Sequence, residues 1–359
     1  MSGQGWGGAP PEPRHRPQTA EGDPLPDAPD ESLSPSRDGP PGSGIFTLEG
    51  RRAPGLYLVS WALSITGLVL FLLIGPMASS DTARLVLISI GAIVLTVGLA
   101  TACGYQVLER SDRHPDAYRG PAPLLVFAAY FFALALVGVV VIVSGVADPE
   151  APLGFFAIGS LQALGYGVVV WLLVIRTDAL TWSQMGWPTW RGPGLQPTLR
   201  GIGAAVAVMV PTTFVLVIVG GLIGTLLGVE APEVLPTPDT TSGALLVAAA
   251  AAVIIPIGEE LFFRGFALTA WLRDLGPRTA LIRSSVFFAL IHIANITTSS
   301  FSEGLGQAVL QTTVILPVGF VLGWLFLRHG MAGAIGGHVT YNSLLLFLAL
   351  LVSYLPEPT

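Results

Sequence analysis

Three groups of residues in the last third of the chain have the types and spacing that chemistry needs. They are Glu259, Glu260 and Arg264 in "EELFFR", Phe288 and His292 in "FALIH", and His338 and Asn342 in "HVTYN". Each group sits in an apolar run able to cross a bilayer, where an ionisable side chain costs roughly 2.5–3.5 kcal/mol even on the most lenient insertion scale. Left alone, their sum would rival the ~5–15 kcal/mol that holds an ordinary protein together, so they must satisfy one another. Glu260 and Arg264 are four apart, share a helix face and can pair within one turn. Glu259 is rotated by about 100° and lacks that partner, which leaves its carboxylate free for chemistry. His338 and Asn342 share a face at the same spacing, as do Phe288 and His292. A free carboxylate, two imidazoles and an amide donor from three helices supply a general base, water-orienting groups and an oxyanion stabiliser. Those are the parts of a hydrolase.

The elements that must position these groups are membrane helices. Of 359 residues, 52% are hydrophobic and 11% charged, a balance too apolar for a soluble domain. The net charge of −6 gives no basic nucleic-acid surface, and the single Cys103 allows neither an internal disulfide nor a cysteine-based metal site. All 17 basic residues are Arg, which with abundant Ala, Gly, Pro and Val points to a GC-rich, bacterial source.

Nine apolar stretches recur, at about 55–77, 83–105, 122–146, 152–175, 201–228, 243–272, 279–296, 305–327 and 331–355. Each is near the ~20 residues needed to cross a ~30 Å hydrocarbon core, and unpaired backbone cannot survive in lipid. The fold class expected is therefore all-α, a polytopic bundle of eight or nine transmembrane helices. Arg51, Arg52, Arg110, Arg113, Arg119, Arg176, Arg191, Arg273, Arg278 and Arg328 all fall on one side, whereas the loops at 146–152, 229–239 and 295–304 carry no Arg. That asymmetry makes the Arg-bearing side cytoplasmic, with the amino terminus inside and the carboxyl terminus outside.

Four regions follow. Residues 1–50, with ten prolines and no apolar run, read as a disordered cytoplasmic tail. Residues 51–178 form a four-helix membrane region, and 179–200 an interfacial loop carrying Trp182, Trp187 and Trp190 beside Arg191. Residues 201–355 form the bundle that holds the chemistry. Pro256 invites a kink just before the glutamates, and the pairs Gly319/Gly323 and Gly333/Gly337 favour close helix approach.

The three motifs, taken together and in order, closely resemble EExxxR, FxxxH and HxxxN or HxxxD of the CPBP intramembrane protease family, which includes the type II CAAX prenyl endopeptidases and bacterial abortive-infection proteins. The likeness spans about residues 200–355. It implies that Glu259 activates the attacking water, that His292 and His338 position that water or a metal, and that Asn342 stabilises the oxyanion. Glu260 and Arg264 would then be supporting residues, with Phe288 beside them. Glu259, His292 and His338 would suit a zinc ion with an open water position, yet a glutamate base with histidine-held water needs no metal. Both a zinc site and none stay open.

The expected protein is thus an intramembrane endopeptidase of a bacterial plasma membrane. Its partners are the lipid bilayer and a peptide or membrane-protein substrate, cut near the cytoplasmic face, with no nucleic acid. Two other classes compete with it. A non-catalytic immunity or scaffold protein could use the polar cluster only for stability. A proton-coupled transporter could use it as a relay, although no repeat between halves supports that reading.

Overall fold

Proline opens helix after helix in this chain. Pro54, Pro123, Pro152 and Pro277 stand at first helical positions, where a missing N–H is harmless and the fixed φ favours helix. Elsewhere side chains cap: Ser80 Oγ accepts from the Ala83 N–H at 3.2 Å, and Thr240 Oγ1 accepts from the Gly243 N–H at 3.0 Å. The computed structural model describes residues 47–48, 50–187, 194–230, 235–293, 296, 298 and 300–353. Almost all of the expected tail, and the Trp190–Arg191 tip of the interfacial loop, lie outside the described residues.

All regular structure among the described residues is helical: α1 (Pro54–Ile74), α2 (Asp81–Glu109), α3 (Pro123–Ser144), α4 (Pro152–Ile175), α5 (Leu195–Leu227), α6 (Thr241–Leu275), α7 (Pro277–His292) and the stretch Phe301–Ser353. Seven of these stretches are long and apolar enough to cross a membrane. The last is two helices. At Gly330 the backbone leaves helical space, with φ 63° and ψ −159°. A Cβ added at Gly337 would come within 2.8 Å of Leu325 and 2.9 Å of Leu322, residues that a straight helix would hold roughly 18 and 22 Å away. The chain therefore folds back as a hairpin, α8 (301–329) and α9 (331–353), matching the two final stretches read from hydropathy. The protein is a multi-pass helical membrane bundle.

α7 is the exception in length. Its 16 residues extend about 24 Å, short of a ~30 Å core, and much of its surface is spent on neighbours: Ala280, Ser284, Ser285, Phe288 and Ala289 are buried. Gly319 faces it so closely that a Cβ would lie 3.2 Å from the Ser285 backbone, while one at Gly323 would lie 2.4 Å from the Leu281 side chain. The small-residue pair on α8 is thus the seat of α7.

From Arg51 onward the chain is one compact unit. Its main core runs through both halves, with Tyr130 of α3 and Tyr166 of α4 joining Phe262, Phe263 and Phe266 of α6. Tyr130 and Tyr166 stack at 4.1 Å, and Tyr166 lies 5.1 Å from Phe262. Gly258 brings α6 against α4, where a Cβ would meet Ala163 Cα at 2.6 Å. The α2–α3 loop adds a second tie: Arg113 pairs with Asp274 at 3.6 Å, and the Asp274 carboxylate accepts the Tyr118 N–H at 3.3 Å. Tyr118 is buried, and burial pushes its phenol above the ordinary range, so the hydroxyl stays a neutral donor to Pro121 O at 3.0 Å. The four amino-terminal helices are built into the bundle rather than appended to it.

The loop after α4 also contributes core. Ala179, Leu180 and Met185 are buried, and Gly186 O accepts the Met331 N–H at 2.9 Å, which pins the loop to the hairpin turn. Trp182 and Trp187 pack edge to face at 5.7 Å.

Candidate active site

α6 is not a uniform helix. Ala250–Ile254 and Leu261–Leu268 are wound as π-helix, and between them lies the short α-helical turn Ile255–Glu260 that ends in the two glutamates. Wide turns of this kind are uncommon and cluster at functional sites, because each re-aims the side chains that follow it. Every side chain from Glu259 to Ala270 is buried.

Glu260 and Arg264 are wholly buried and pair as their spacing predicts, with Arg264 Nη1 donating to Glu260 Oε1 at 2.8 Å. Arg264 Nη2 donates to Gly319 O at 3.3 Å, and the guanidinium lies over the Phe288 ring, 4.1 Å from its centroid. The same Glu260 oxygen meets His338 Nδ1 at 2.8 Å. An oxygen already accepting from Arg264 can only accept again, so Nδ1 carries a proton, and in the neutral imidazole Nε2 of His338 presents a lone pair. That nitrogen lies 3.8 Å from Glu259 Oε2. The gap is too long for a direct hydrogen bond, yet one water could sit about 2.8 Å from both atoms. Glu260 therefore has a second role that its spacing from Arg264 did not reveal: it orients His338.

Phe288, 1% exposed, is the floor on which these groups rest, with its ring centroid 5.8 Å from that of His338 and 4.5 Å from that of His292. His292 is half-buried and tied to its own helix, Nδ1 donating to Phe288 O at 2.7 Å, which leaves Nε2 as its free nitrogen. Asn342 is engaged elsewhere, its Nδ2 donating to Ala251 O on α6 at 2.8 Å.

The structure thus gathers Glu260, Arg264, Phe288 and His338 into direct contact, sets Glu259 3.8 Å from the His338 imidazole and His292 beside the Phe288 ring, and turns the Asn342 amide to the helix backbone. The metal set fares differently. Among the described residues no three His, Cys, Asp or Glu side chains come together to hold an ion. Glu259 and His338 are neighbours, but His292 does not complete a ligand set with them, so the donors as placed do not fit zinc. A cavity of about 690 Å³ between α5, α8 and α9 is lined by Leu216, Gly220, Val314, Ile315 and Tyr341, and by none of Glu259, Glu260, Arg264, Phe288, His292, His338 and Asn342.

Two contacts had no signal in the sequence. Gly319 serves Arg264 through its carbonyl, which any residue would offer, and Ser284 Oγ donates to Phe263 O at 3.3 Å inside the second π stretch. Only the small-residue spacing around Gly319 hinted that backbone would lie that close.

Neither a curated protein nor a solved structure matches the chain. A family model does, the one described as type II CAAX prenyl endopeptidase Rce1-like, over residues 241–344. Those limits take in all of α6 and α7 and run to just beyond Asn342, so every motif residue falls inside them: this chain is a multi-pass membrane protein, and its residues 241–344 match the Rce1-like type II CAAX prenyl endopeptidase model.

Proposed function

We propose that the protein is an intramembrane endopeptidase that hydrolyses a peptide bond near the cytoplasmic membrane face, with Glu259 as the base. One water hydrogen bonds to Glu259 and the other to Nε2 of His338, which turns the oxygen lone pair toward the scissile carbonyl. Glu259 takes the first proton as the C–O bond forms. It then returns that proton to the leaving nitrogen as the C–N bond breaks, so the carboxylate is regenerated. His338 keeps its orientation throughout, because Glu260 holds Nδ1–H and Arg264 holds Glu260. His292 stands on the other contact of Phe288, where its free nitrogen can bind substrate or water. No step passes through a metal.

The observation that carries this reading is the 3.8 Å gap between Glu259 Oε2 and His338 Nε2, closed on the far side by the buried Glu260–Arg264 pair. A scaffold protein would need the ion pair but not the second carboxylate facing an imidazole lone pair. The substrate would be a peptide or membrane protein of the host, taken here to be a bacterium with this protein in its plasma membrane. The test compares peptides accumulating in a deletion strain complemented with the natural gene or with Glu259→Gln. Peptides that vanish only with the natural gene support the reading, and equal clearance by Glu259→Gln refutes it.

A further inference from the structure

Asn342 is the motif residue whose contact fits its expected role least well. Its amide meets the backbone of α6, eight residues before Glu259, and the backbone there has a specific defect. Ile255 N–H donates to Ala250 O, five residues back, as the π stretch requires. Ala251 O therefore loses the donor that an α-helix would give it, which is Ile255. The donor that a continued π-turn would give it belongs to residue 256. That residue is Pro256, which has no N–H. A carbonyl with no backbone donor inside a membrane bundle needs another partner, and Asn342 Nδ2 supplies it at 2.8 Å. In the second π stretch, Phe263 O accepts from the Ser284 hydroxyl at 3.3 Å.

We propose that Asn342 is a positioning residue: it caps the Ala251 carbonyl that the wide turn and Pro256 leave bare, and so fixes the rotation that presents Glu259 to His338. α9 grips α6 at two levels from one face, His338 on Glu260 and Asn342 on Ala251. Relaxing the wide turn by one residue would swing everything after it by about 100°, enough to carry Glu259 away from the imidazole. The catalytic part of this inference rests on the reading of Glu259 and His338 given above; the capping part does not.

The test is a double-mutant cycle on the full chain in detergent, comparing the natural protein, Asn342→Ala, Pro256→Ala and both together. Pro256→Ala returns an N–H within reach of Ala251 O. Asn342→Ala should lower the unfolding midpoint by roughly 2–6 °C in the natural background, and by less than half as much beside Pro256→Ala. On a quenched fluorescent peptide ending in a prenylated CAAX sequence, Asn342→Ala should lower kcat at least tenfold with KM unchanged, and Pro256→Ala should restore most of the loss. Equal kcat losses in both backgrounds, with an unmoved midpoint, would overturn the proposal, since an amide reserved for the reacting carbonyl behaves that way. If the natural protein does not cut that peptide, the hydrolytic reading is weakened, and the thermal cycle still decides the cap. Should Pro256→Ala fail to accumulate, Asn342→Asp decides. It keeps the shape but sets oxygen against oxygen, and an unchanged midpoint would overturn the capping role.

Discussion

Adjacent carboxylates at Glu259 and Glu260 should fail in opposite ways when each is replaced by its amide. Glu260 has no exposed side-chain surface, and its Oε1 accepts from both Arg264 and His338 at 2.8 Å. Glu260→Gln keeps the shape but leaves the buried Arg264 guanidinium without a counter-charge, a change that typically costs about 3–5 kcal/mol. Glu259 makes no hydrogen bond that short, its nearest ionisable contact being His338 at 3.8 Å, so Glu259→Gln should cost under ~1 kcal/mol. In a bundle of this size the first variant should unfold roughly 6–10 °C below the natural protein and the second within about 2 °C of it. Cleavage inverts the ranking in kind. Glu259→Gln should lose the proposed base and about 10²–10⁴ in rate while remaining folded, whereas Glu260→Gln should lose rate because it loses structure. The assay heats detergent-purified protein in steps, measures the folded fraction by size exclusion, and follows peptide hydrolysis on the same samples. Equal midpoints for the two variants would refute this division of labour, as would full activity in Glu259→Gln.

Other outcomes follow from the same contacts. Phe288→Ala removes a buried ring that touches Arg264, His292 and His338, and should cost about 3–5 kcal/mol together with activity; a midpoint within a degree of the natural protein would contradict its place under the site. Gly258→Ala drives a methyl into α4, where Ala163 Cα is 2.6 Å away, and should cost about 1–3 kcal/mol, read as a lower midpoint. Gly330→Ala puts a side chain at φ 63° and 3.0 Å from Gly186 O, so the α8–α9 hairpin should loosen and protease nicking near residue 330 should rise. Chelation followed by metal analysis should leave hydrolysis unchanged, because the donors do not assemble three ligands; activity that falls with chelation and returns with zinc would reverse that conclusion.

The sequence made the bundle readable because lipid permits so little else: each hydropathy peak became a helix, and even the final hairpin was visible as two peaks. The Glu260–Arg264 pair was equally legible, since a four-residue step keeps two side chains on one face in an α-helix and still does so in the wider π-turn that this pair spans. What escaped were features invisible to hydropathy. Ala250–Ile254 and Leu261–Leu268 have ordinary apolar compositions, and nothing in them announces a wider turn. The partner of Asn342 escaped for the same cause, because only that turn makes Ala251 O available. Glu260 was assigned to Arg264 alone because an intrahelical partner can be counted along the chain, whereas His338 lies 78 residues away.

The shared aromatic stack of Tyr130, Tyr166 and Phe262 bears on how little of this chain could stand alone. A fragment trimmed to the family segment would present Phe262 and its neighbours to lipid tails, and would leave Gly258 facing an empty groove where Ala163 had been. Nothing apolar would be exposed to water, so no hydrophobic penalty would report the loss. The segment could insert normally and still be slack, its glutamates free to swivel. The early helices are best regarded as a splint for the later ones, and homologues that lack them would need some other rigid neighbour along that same flank.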